Sequence, residues 1–386
     1  MAVEPQRAPG PRSEYGSLAT AFVYSLGMTM AAVAVPLLIL EAGFDAFVVG
    51  LLVSLSAVSQ LTARPFMPGW MRRASDRSII VCAAFLLALA CVVLLVSHSL
   101  WLFAISQLLQ GVSRAFFWTA SHTHAVRVST NRLSGLGAMN LIGGLGMLAG
   151  PLTAGLVGEV SLRLVLVIAA GASLAVIPIV FSYPRLEPLP RRILPEGLNG
   201  DRRAGAWRNP GVTHGGWLNT AAGAHNSLVT SCVPVLLHAA GHGPIIVGWC
   251  IASGNVAVLA GMIFAARFYR RAPRATSAIA ILAAGAGLAA LGPSASWPVV
   301  ACLLLAIAGL GAGTLQTLGP GIAAEAVVPA EHGDAITAVG TYRSVAMITA
   351  PAIASGLSLV LPLGAAVVLL GGGICTLVLA RRPVAE

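Results

Sequence analysis

Long apolar stretches recur along the chain, separated by short polar breaks. Each covers about 18 to 27 residues, and a helix of that length spans a hydrocarbon core of roughly 30 Å at about 1.5 Å per residue. Runs such as AAFLLALACVVLLV, residues 83–96, do not alternate between apolar and polar positions, which excludes a β-barrel. The pattern predicts an all-α membrane protein with twelve transmembrane helices, at residues 17–40, 46–68, 78–97, 100–121, 136–158, 163–183, 213–237, 244–266, 276–293, 297–319, 334–360 and 362–380.

Composition agrees with this pattern and excludes several classes of function. Hydrophobic residues make up 57% of the 386 residues and charged residues only 9%, whereas soluble domains carry about 25% charged residues. No Walker sequence or dinucleotide-binding motif is present, which excludes ATP as a direct energy source. The six cysteines lie in apolar stretches without metal-ligand spacing, so we expect reduced packing residues and neither a metal nor another cofactor.

The basic residues are all arginines, and they are distributed unevenly. The chain has 23 of them and a net charge of +10. If the twelve stretches cross a membrane, 20 arginines lie on one face and only Arg163 lies on the other. The positive-inside rule assigns the arginine-rich face to the cytoplasm, so we expect both termini to be cytoplasmic, in a prokaryotic inner membrane. Such a surface suits contact with anionic lipid head groups rather than with nucleic acid.

The chain contains an internal repeat. The arginine burst WMRRASDR at 70–77 is nearly repeated by FYRRAPR at 268–274. A shift of 198 residues places 35–74 over 233–272, and thirteen of these forty positions are identical, namely Val35, Pro36, Leu38, Ala42, Gly43, Val49, Gly50, Val58, Leu61, Phe66, Arg72, Arg73 and Ala74. The repeat predicts two copies of a six-helix unit, with the burst in the loop after the second helix of each copy.

Two parallel six-helix units joined by a basic linker are the organisation of major facilitator transporters, and the sequence resembles that superfamily over nearly its whole length. We expect an N-terminal bundle at 1–184, a cytoplasmic linker at 185–212 and a C-terminal bundle at 213–386. The resemblance implies alternating access, in which the two halves rock around a central cavity near the bilayer midplane.

Two local motifs of the superfamily are present in altered form. In the loop after helix 2, Arg72 and Arg73 are present, but Arg73 stands where the family has an aspartate, and Asp76 follows three residues later. The resemblance implies a gating role for this loop, with Asp76 as a substitute for the missing carboxylate. In helix 4, QLLQGVSRA has Gln107 in place of the family's arginine, and Arg114 restores the charge two helical turns later.

The helix 5 motif is the closest match to the superfamily. GMLAGPLTAG supplies Gly146, Gly150, Pro151 and Gly155, and it resembles the motif of exporters that exchange substrate for protons. Small residues one turn apart let helices approach closely, and a proline removes one backbone hydrogen bond. The alternative is an ordinary packing face of small residues.

Three ionisable residues lie inside the apolar stretches, away from the ends of those stretches, and are candidates for substrate binding or coupling. Arg114 and Arg343 are expected in the cytoplasmic half of helices 4 and 11, where they bind an anionic group or, alternatively, reach the surface as structural locks. His225 in helix 7 binds substrate, carries a proton, or is a neutral residue between helices. The neutral cavity candidates are Tyr24, Gln60, Trp118, Asn226, Asn255 and Gln316.

One further pair is a candidate gate at the cytoplasmic face. Arg127 aligns with Glu325 under the shift of 198 residues, so equivalent loops carry opposite charges. We expect the two side chains to pair when the inner gate closes.

These features favour a secondary active transporter over an enzyme, because no convergent set of catalytic residues is present. The preferred function is proton-coupled efflux of a small amphipathic organic compound by a monomer. The alternatives are an importer or facilitator of a small organic anion, and a non-transporting sensor or scaffold.

Overall fold

A computed structural model describes residues 11–71, 73–96, 99–128, 132–183, 208–327 and 332–377. This part of the chain forms twelve long helices: α1 (Pro11–Glu41), α2 (Ala46–Ala63), α3 (Asp76–Val96), α4 (Leu100–Val128), α5 (Arg132–Gly158), α6 (Leu162–Phe181), α7 (Pro210–Ala239), α8 (Pro244–Arg271), α9 (Pro273–Ser294), α10 (Pro298–Glu325), α11 (His332–Ser358) and α12 (Leu363–Thr376). A 3-10 turn, Arg64–Phe66, and a short helix, Met67–Met71, follow α2.

The all-helical fold confirms the fold class predicted from the apolar pattern, and each predicted stretch overlaps one long helix. Within the described residues, eight helices are long and apolar enough to cross a membrane: α1, α2, α3, α5, α6, α8, α9 and α10. Three others, α4, α7 and α11, carry the candidate site residues Arg114, His225 and Arg343. The described part of α12 is apolar but only 14 residues long.

The helix packing repeats from the first six helices to the last six. In the first half α1 packs on α5, α2 on α4, and α3 on both α4 and α6. In the second half α7 packs on α11, α8 on α10, and α9 on both α10 and α12. These four neighbouring pairs recur six helices later, which confirms the two parallel repeats.

Individual glycines of the repeat also take equivalent roles. Gly43 and Gly241, 198 residues apart, have φ angles of 85° and 87° in the turns that follow α1 and α7. Glycine is favoured there because a side chain strains a left-handed backbone. In the helices, Gly111 on α4 lies against the Ser56 backbone on α2, and Gly309 on α10 lies in the same way against Gly254 on α8. The sequence match therefore extends to backbone contacts.

The two arginine bursts have different structures, which corrects the prediction that both are loops. Arg270 and Arg271 form the last turn of α8, whereas Arg73 lies in a turn and Arg72 lies outside the described residues. The reason is that proline cannot continue the backbone hydrogen bonds of a helix. Pro65 and Pro68 follow α2 in the first copy, and the equivalent positions in the second copy are Ile263 and Ala266.

The arginines mark one end of the helical bundle. Described arginines lie at or next to the helix ends there, and we call this the arginine-rich end; they include Arg73, Arg77, Arg127, Arg270, Arg271 and Arg274. Arg163, at the start of α6, lies at the other end, called the opposite end.

The two halves approach each other closely at the opposite end. Gly155 near the end of α5 lies against α8, where an added Cβ atom would be 2.9 Å from the Pro244 carbonyl oxygen. The backbone nitrogen of Ile245 donates a hydrogen bond to Glu159 Oε1 at 3.1 Å. On the other side of the bundle, a Cβ atom at Gly50 of α2 would lie 3.0 Å from the Pro351 carbonyl oxygen of α11. The α5–α8 and α2–α11 contacts thus hold this end together.

Candidate functional site

A small cavity lies between the two halves. Helices α1, α2 and α4 form most of its wall, and α7 of the second half supplies one residue. The lining residues are Ala32, Pro36, Val53, Ser56, Gln107, Gln110, Arg114 and Thr230. One wall is therefore apolar, and the other carries neutral hydrogen-bonding groups around a single guanidinium group.

Arg114 lies at the centre of α4, fourteen residues from Leu100 and fourteen from Val128. Helix α4 continues seven residues beyond the predicted end at 121, which places Arg114 farther from the end of the helix than predicted. Fourteen residues correspond to about 21 Å of helix, which exceeds the reach of an arginine side chain. The Nε atom of Arg114 is buried and has no hydrogen-bond partner among the described residues.

Arg343 is the second charged residue deep in the bundle. It lies on α11, eleven residues from His332 and fifteen from Ser358, and its side chain is half-buried. Its backbone packs on α7, where a Cβ atom at Gly223 would be 2.6 Å from the Arg343 carbonyl oxygen. Arg64, at the end of α2, donates a hydrogen bond to Ser344 Oγ across the two halves at 3.3 Å. Arg64 therefore joins α2 to the turn of α11 that carries Arg343.

His225 occupies the centre of α7, fifteen residues from Pro210 and fourteen from Ala239. The side chain is buried, with 3% exposure. Its Nε2 atom has no hydrogen-bond partner among the described residues. His225 is therefore a buried polar side chain at the middle of its helix, and its role in substrate binding or proton transfer stays a prediction.

Tyr24 is not on the cavity wall as predicted but in the core of the first half. Its ring stacks on Phe117 with centroids 3.6 Å apart, and its hydroxyl group lies 2.7 Å from Ser113 Oγ. Because Ser113 precedes Arg114, Tyr24 helps to fix the turn of α4 that carries the guanidinium group. A single sequence does not show this role, since it depends on how α1 and α4 meet.

The other neutral candidates occupy different positions. Trp118 is half-buried between α4 and α5, where its ring would lie 3.0 Å from a Cβ atom at Gly143. Asn255 of α8 donates a hydrogen bond to the Met147 carbonyl oxygen of α5 at 2.9 Å and so joins the two halves. Half-buried positions on α2, α7 and α10 are occupied by Gln60, Asn226 and Gln316.

The glycines of the helix 5 motif make two kinds of contact. Gly146 and Gly150 pack on α1 within the first half, against Phe22, Ser25, Leu26 and Thr29. Gly155 and the carbonyl oxygen of Pro151 instead face Gly248 of α8 in the second half. The motif is therefore a packing surface, and its C-terminal part belongs to the contact that closes the opposite end.

Asp76 is part of a buried cluster at the arginine-rich end. It is 1% exposed, and Arg127 Nη1 of α4 donates a hydrogen bond to its Oδ2 atom at 3.0 Å. His124 Nδ1 lies 3.7 Å from the same oxygen, and the His124 ring stacks on Tyr183 at 4.5 Å. Burial raises the pKa of Tyr183 to about 12, so this phenol stays neutral at physiological pH.

Asp76 is therefore held by an ion pair within the first half, and its role as a substitute for the carboxylate missing at Arg73 stays a prediction. Arg127 thus pairs within its own half, and Glu325 is exposed at the end of α10. Both lie in helices rather than in loops, which corrects the predicted placement. Pairing of Arg127 with Glu325 in another conformation stays a prediction. Arg73 itself is exposed.

Sequence reasoning missed three residues of this region. Ser56 and Thr230 line the cavity, and Arg64 reaches Ser344 of the other half. Serine and threonine give a weak signal because they commonly bond to the backbone of their own helix. Arg64 resembled a loop residue because two prolines follow closely.

Comparison with known proteins identifies this arrangement of helices. The family model described as Major Facilitator Superfamily matches residues 18–351. No curated protein matches the chain. A solved structure of the nucleoside transporter NupG shares 13% identity and covers 95% of this chain and 98% of its own, with a TM-score of 0.81.

Two further solved structures are similar in fold. The peptide transporter POT in complex with sulfate shares 14% identity over 96% of this chain and 93% of its own, with a TM-score of 0.74. The human organic anion transporter MFSD10 shares 16% identity over 98% of this chain and 99% of its own, with a TM-score of 0.65.

Proposed function

Since the chain belongs to the major facilitator superfamily and is a multi-pass membrane transporter rather than an enzyme, we propose that it exports a small organic compound in exchange for protons. The similar structures are named as transporters of nucleosides, peptides and organic anions. Their substrates differ but are all small organic molecules, which supports a substrate of that general class here.

Alternating access is supported by the contacts between the halves. The α2–α11 and α5–α8 contacts are equivalent under the repeat, because each joins the second helix of one half to the fifth helix of the other. Both hold the opposite end, and the cavity lies at the level of Arg114, midway along α4. Rocking of the two six-helix bundles about this level opens one end as it closes the other.

The proposed orientation places the arginine-rich end in the cytoplasm of a prokaryotic cell, as the positive-inside rule requires. The closed end is then the outer one, and the compound enters the cavity from inside the cell. We also propose that the protein works as a monomer surrounded by lipid. Its units are the N-terminal bundle, the linker at 185–212 and the C-terminal bundle.

Coupling to protons is supported by the helix 5 motif and by His225. The contact of Gly155 and Pro151 with Gly248 is placed to seal the outer end during the return step. His225 is a titratable group at the middle of α7, and its buried Nε2 atom has no hydrogen-bond partner among the described residues. We assign it the coupling proton.

Untargeted mass spectrometry of small molecules tests this function. Cells lacking or overproducing the protein are compared, with and without a protonophore, and the compounds inside and outside are quantified. Export predicts a compound that is retained in the null strain and expelled on overproduction only while the proton gradient stands. Unchanged profiles across broad growth conditions would contradict transport.

A second candidate direction is import or facilitated passage of a small organic anion. Arg114 and Arg343 favour it, because guanidinium groups bind carboxylates and phosphates in two-point contacts. Faster uptake of an anion on overproduction, without expulsion of any compound, would select this alternative.

A further inference from the structure

Helices α2 and α8 begin at equivalent places at the opposite end, but their N-termini are capped in different ways. Asp45 precedes α2, and its Oδ1 atom accepts a hydrogen bond from the Val48 backbone nitrogen at 3.0 Å. Gly243, 198 residues later, precedes α8 with a similar backbone conformation. Because glycine has no side chain that could accept a hydrogen bond, α8 does not carry the kind of cap that α2 has.

A residue of the first half caps α8 instead. Glu159 lies in the turn directly after α5, and its Oε1 atom accepts a hydrogen bond from the Ile245 backbone nitrogen at 3.1 Å. Ile245 belongs to the first turn of α8, where backbone N–H groups need acceptors from outside the helix. The following nitrogens, of Ile246 and Val247, bond to the Gly243 carbonyl oxygen. The carboxylate also places negative charge at the positive end of the helix dipole. We call the contact between Glu159 and Ile245 the inter-half cap.

Gly243 leaves the space that the Glu159 carboxylate occupies. A Cβ atom at position 243 would lie 2.6 Å from Glu159 Oε1, which is closer than van der Waals contact allows. The backbone angles of Gly243, with φ of −72° and ψ of 169°, are open to other residues as well. The glycine is therefore explained by the carboxylate of the other half and not by the conformation of the turn.

The equivalent place on the other side of the bundle has the reverse arrangement. Pro151 of α5 and Pro351 of α11 make equivalent contacts with the other half, so the turns that follow these two helices correspond. Leu359, the first residue after α11, then corresponds to Glu159 after α5. The Leu359 side chain is 64% exposed and has no acceptor atom. Helix α2 is thus capped within its own half by Asp45, whereas α8 is capped from the other half.

From this arrangement we propose that Glu159 is a gating residue, and that the inter-half cap holds the opposite end closed. When α5 and α8 separate, Ile245 loses its acceptor and α8 loses its cap, whereas α2 keeps Asp45 in both states. Loss of the cap is therefore part of the opening step, and the cap favours the closed state. This inference rests on alternating access as part of the proposed function, but it does not depend on the substrate, the coupling ion or the direction of transport.

The populations of the closed and the open state test the inter-half cap. Spin labels replace Trp101 and Val299, which are exposed at the starts of α4 and α10, in the full chain without its native cysteines, in lipid nanodiscs. Double electron–electron resonance gives the fractions with the short and the long distance, and the melting temperature is measured alongside. Glu159→Ala should raise the ratio of open to closed molecules about three- to tenfold, as expected for the loss of one helix cap.

Gly243→Asp tests the geometry without a change at Glu159. The new aspartate gives α8 the same N-cap that α2 has, and it displaces the Glu159 carboxylate through close contact and like charge. The open fraction should therefore rise as it does in Glu159→Ala, although α8 itself is capped. In the chain with both changes, the shift should be no larger than in either single variant, because the same contact is lost.

Asp45→Ala is the matched control. It removes the cap of α2 and should lower the melting temperature. It should leave the ratio of open to closed molecules unchanged, because that cap is present in both states. Glu159→Gln keeps an acceptor oxygen but loses the charge, so its ratio should lie between those of the unmodified chain and Glu159→Ala.

The outcomes separate this inference from the proposed function. An unchanged ratio in Glu159→Ala would overturn the inference, as would an equal shift in Asp45→Ala. A return to the closed state when Gly243→Asp is added to Glu159→Ala would also overturn it, since the cap would then act only on the stability of α8. A shifted ratio in a chain that transports no compound would leave the inter-half cap standing and refute the proposed function. Transport with an unchanged ratio would do the reverse.

Discussion

Gly50 and Gly248 occupy equivalent positions in the two halves, and each lies against a proline carbonyl group of the other half. Gly50 faces Pro351 of α11, and Gly248 faces Pro151 of α5. Both prolines lie inside their helices, and both contacts lie toward the opposite end. Because a Cβ atom at either position would meet a carbonyl oxygen, glycine allows the helices of the two halves to close.

A methyl group at Gly248 should therefore open the opposite end. Gly248→Ala would force α5 and α8 apart, at a cost of about 1–3 kcal/mol typical of overpacking. A cysteine at Ile245, placed in a chain without its native cysteines, reports this opening through reaction with an impermeant maleimide added outside. The matched control is Gly171→Ala, where no atom lies within 4 Å of the added group. Equal labelling of the two alanine variants would contradict this role.

The Asp76–Arg127 ion pair should stabilise the arginine-rich end of the first half. Arg127→Gln leaves the buried Asp76 carboxylate, which is 1% exposed, without its cation. The free energy of unfolding should therefore fall by about 1–3 kcal/mol, and the melting temperature should fall with it. Asp76→Asn should also lower it.

A double-mutant cycle checks that the two residues act as a pair. The variant with both changes should lose less stability than the sum of the single losses, since neither charge is left alone. Arg73→Gln, at an exposed neighbouring position, should be close to neutral. Strictly additive losses would show that the pair does not contribute.

Cys250 and Cys302 should be cross-linked by a mild thiol oxidant. Their Sγ atoms lie 3.2 Å apart between α8 and α10, and diamide accepts the two hydrogens that the thiols release as the disulfide forms. The number of free thiols, measured by mass spectrometry after alkylation, should fall from six to four. Cys302→Ser should keep its five thiols under the same treatment. Six free thiols in the oxidised, unmodified chain would contradict the packing of α8 on α10.

Most of the fold was predictable because apolar length and repetition depend on local composition. The membrane requires long apolar helices wherever the chain crosses, so each of the twelve stretches had a recognisable signal. The repeat was visible because Gly43 and Gly241 need the same backbone conformation, and because Gly50 and Gly248 need the same close contact. The ends of individual helices were less predictable. Helix α2 ends at Ala63, just before Pro65 and Pro68, whereas the equivalent helix α8 continues to Arg271.

The site was only partly predictable because its geometry depends on contacts between distant helices. Arg114 stood out as a charge in an apolar stretch, but the predicted helix ended at residue 121, whereas α4 continues to Val128. Tyr24 resembled a cavity residue until its contacts with Ser113 and Phe117 showed a packing role. Thr230 carried no signal, because only the meeting of the halves brings α7 to the cavity.

Distances between spin labels at the two ends test the central claim, reciprocal opening around the cavity, most directly. Trp101 and Val299 are equivalent exposed positions at the opposite end, 78% and 72% exposed. At the arginine-rich end, Ser78 and Ala275 are exposed near the starts of α3 and α9. Each pair is labelled separately in a chain without native cysteines, in nanodiscs, and its distance is measured in neutral and in acidic buffer.

Alternating access predicts that the two distances change in opposite directions: when the Trp101–Val299 pair separates, the Ser78–Ala275 pair approaches. Arg163→Gln should show the same behaviour as the unmodified chain. Distances that stay constant at both ends under every condition, or that increase together, would contradict the account.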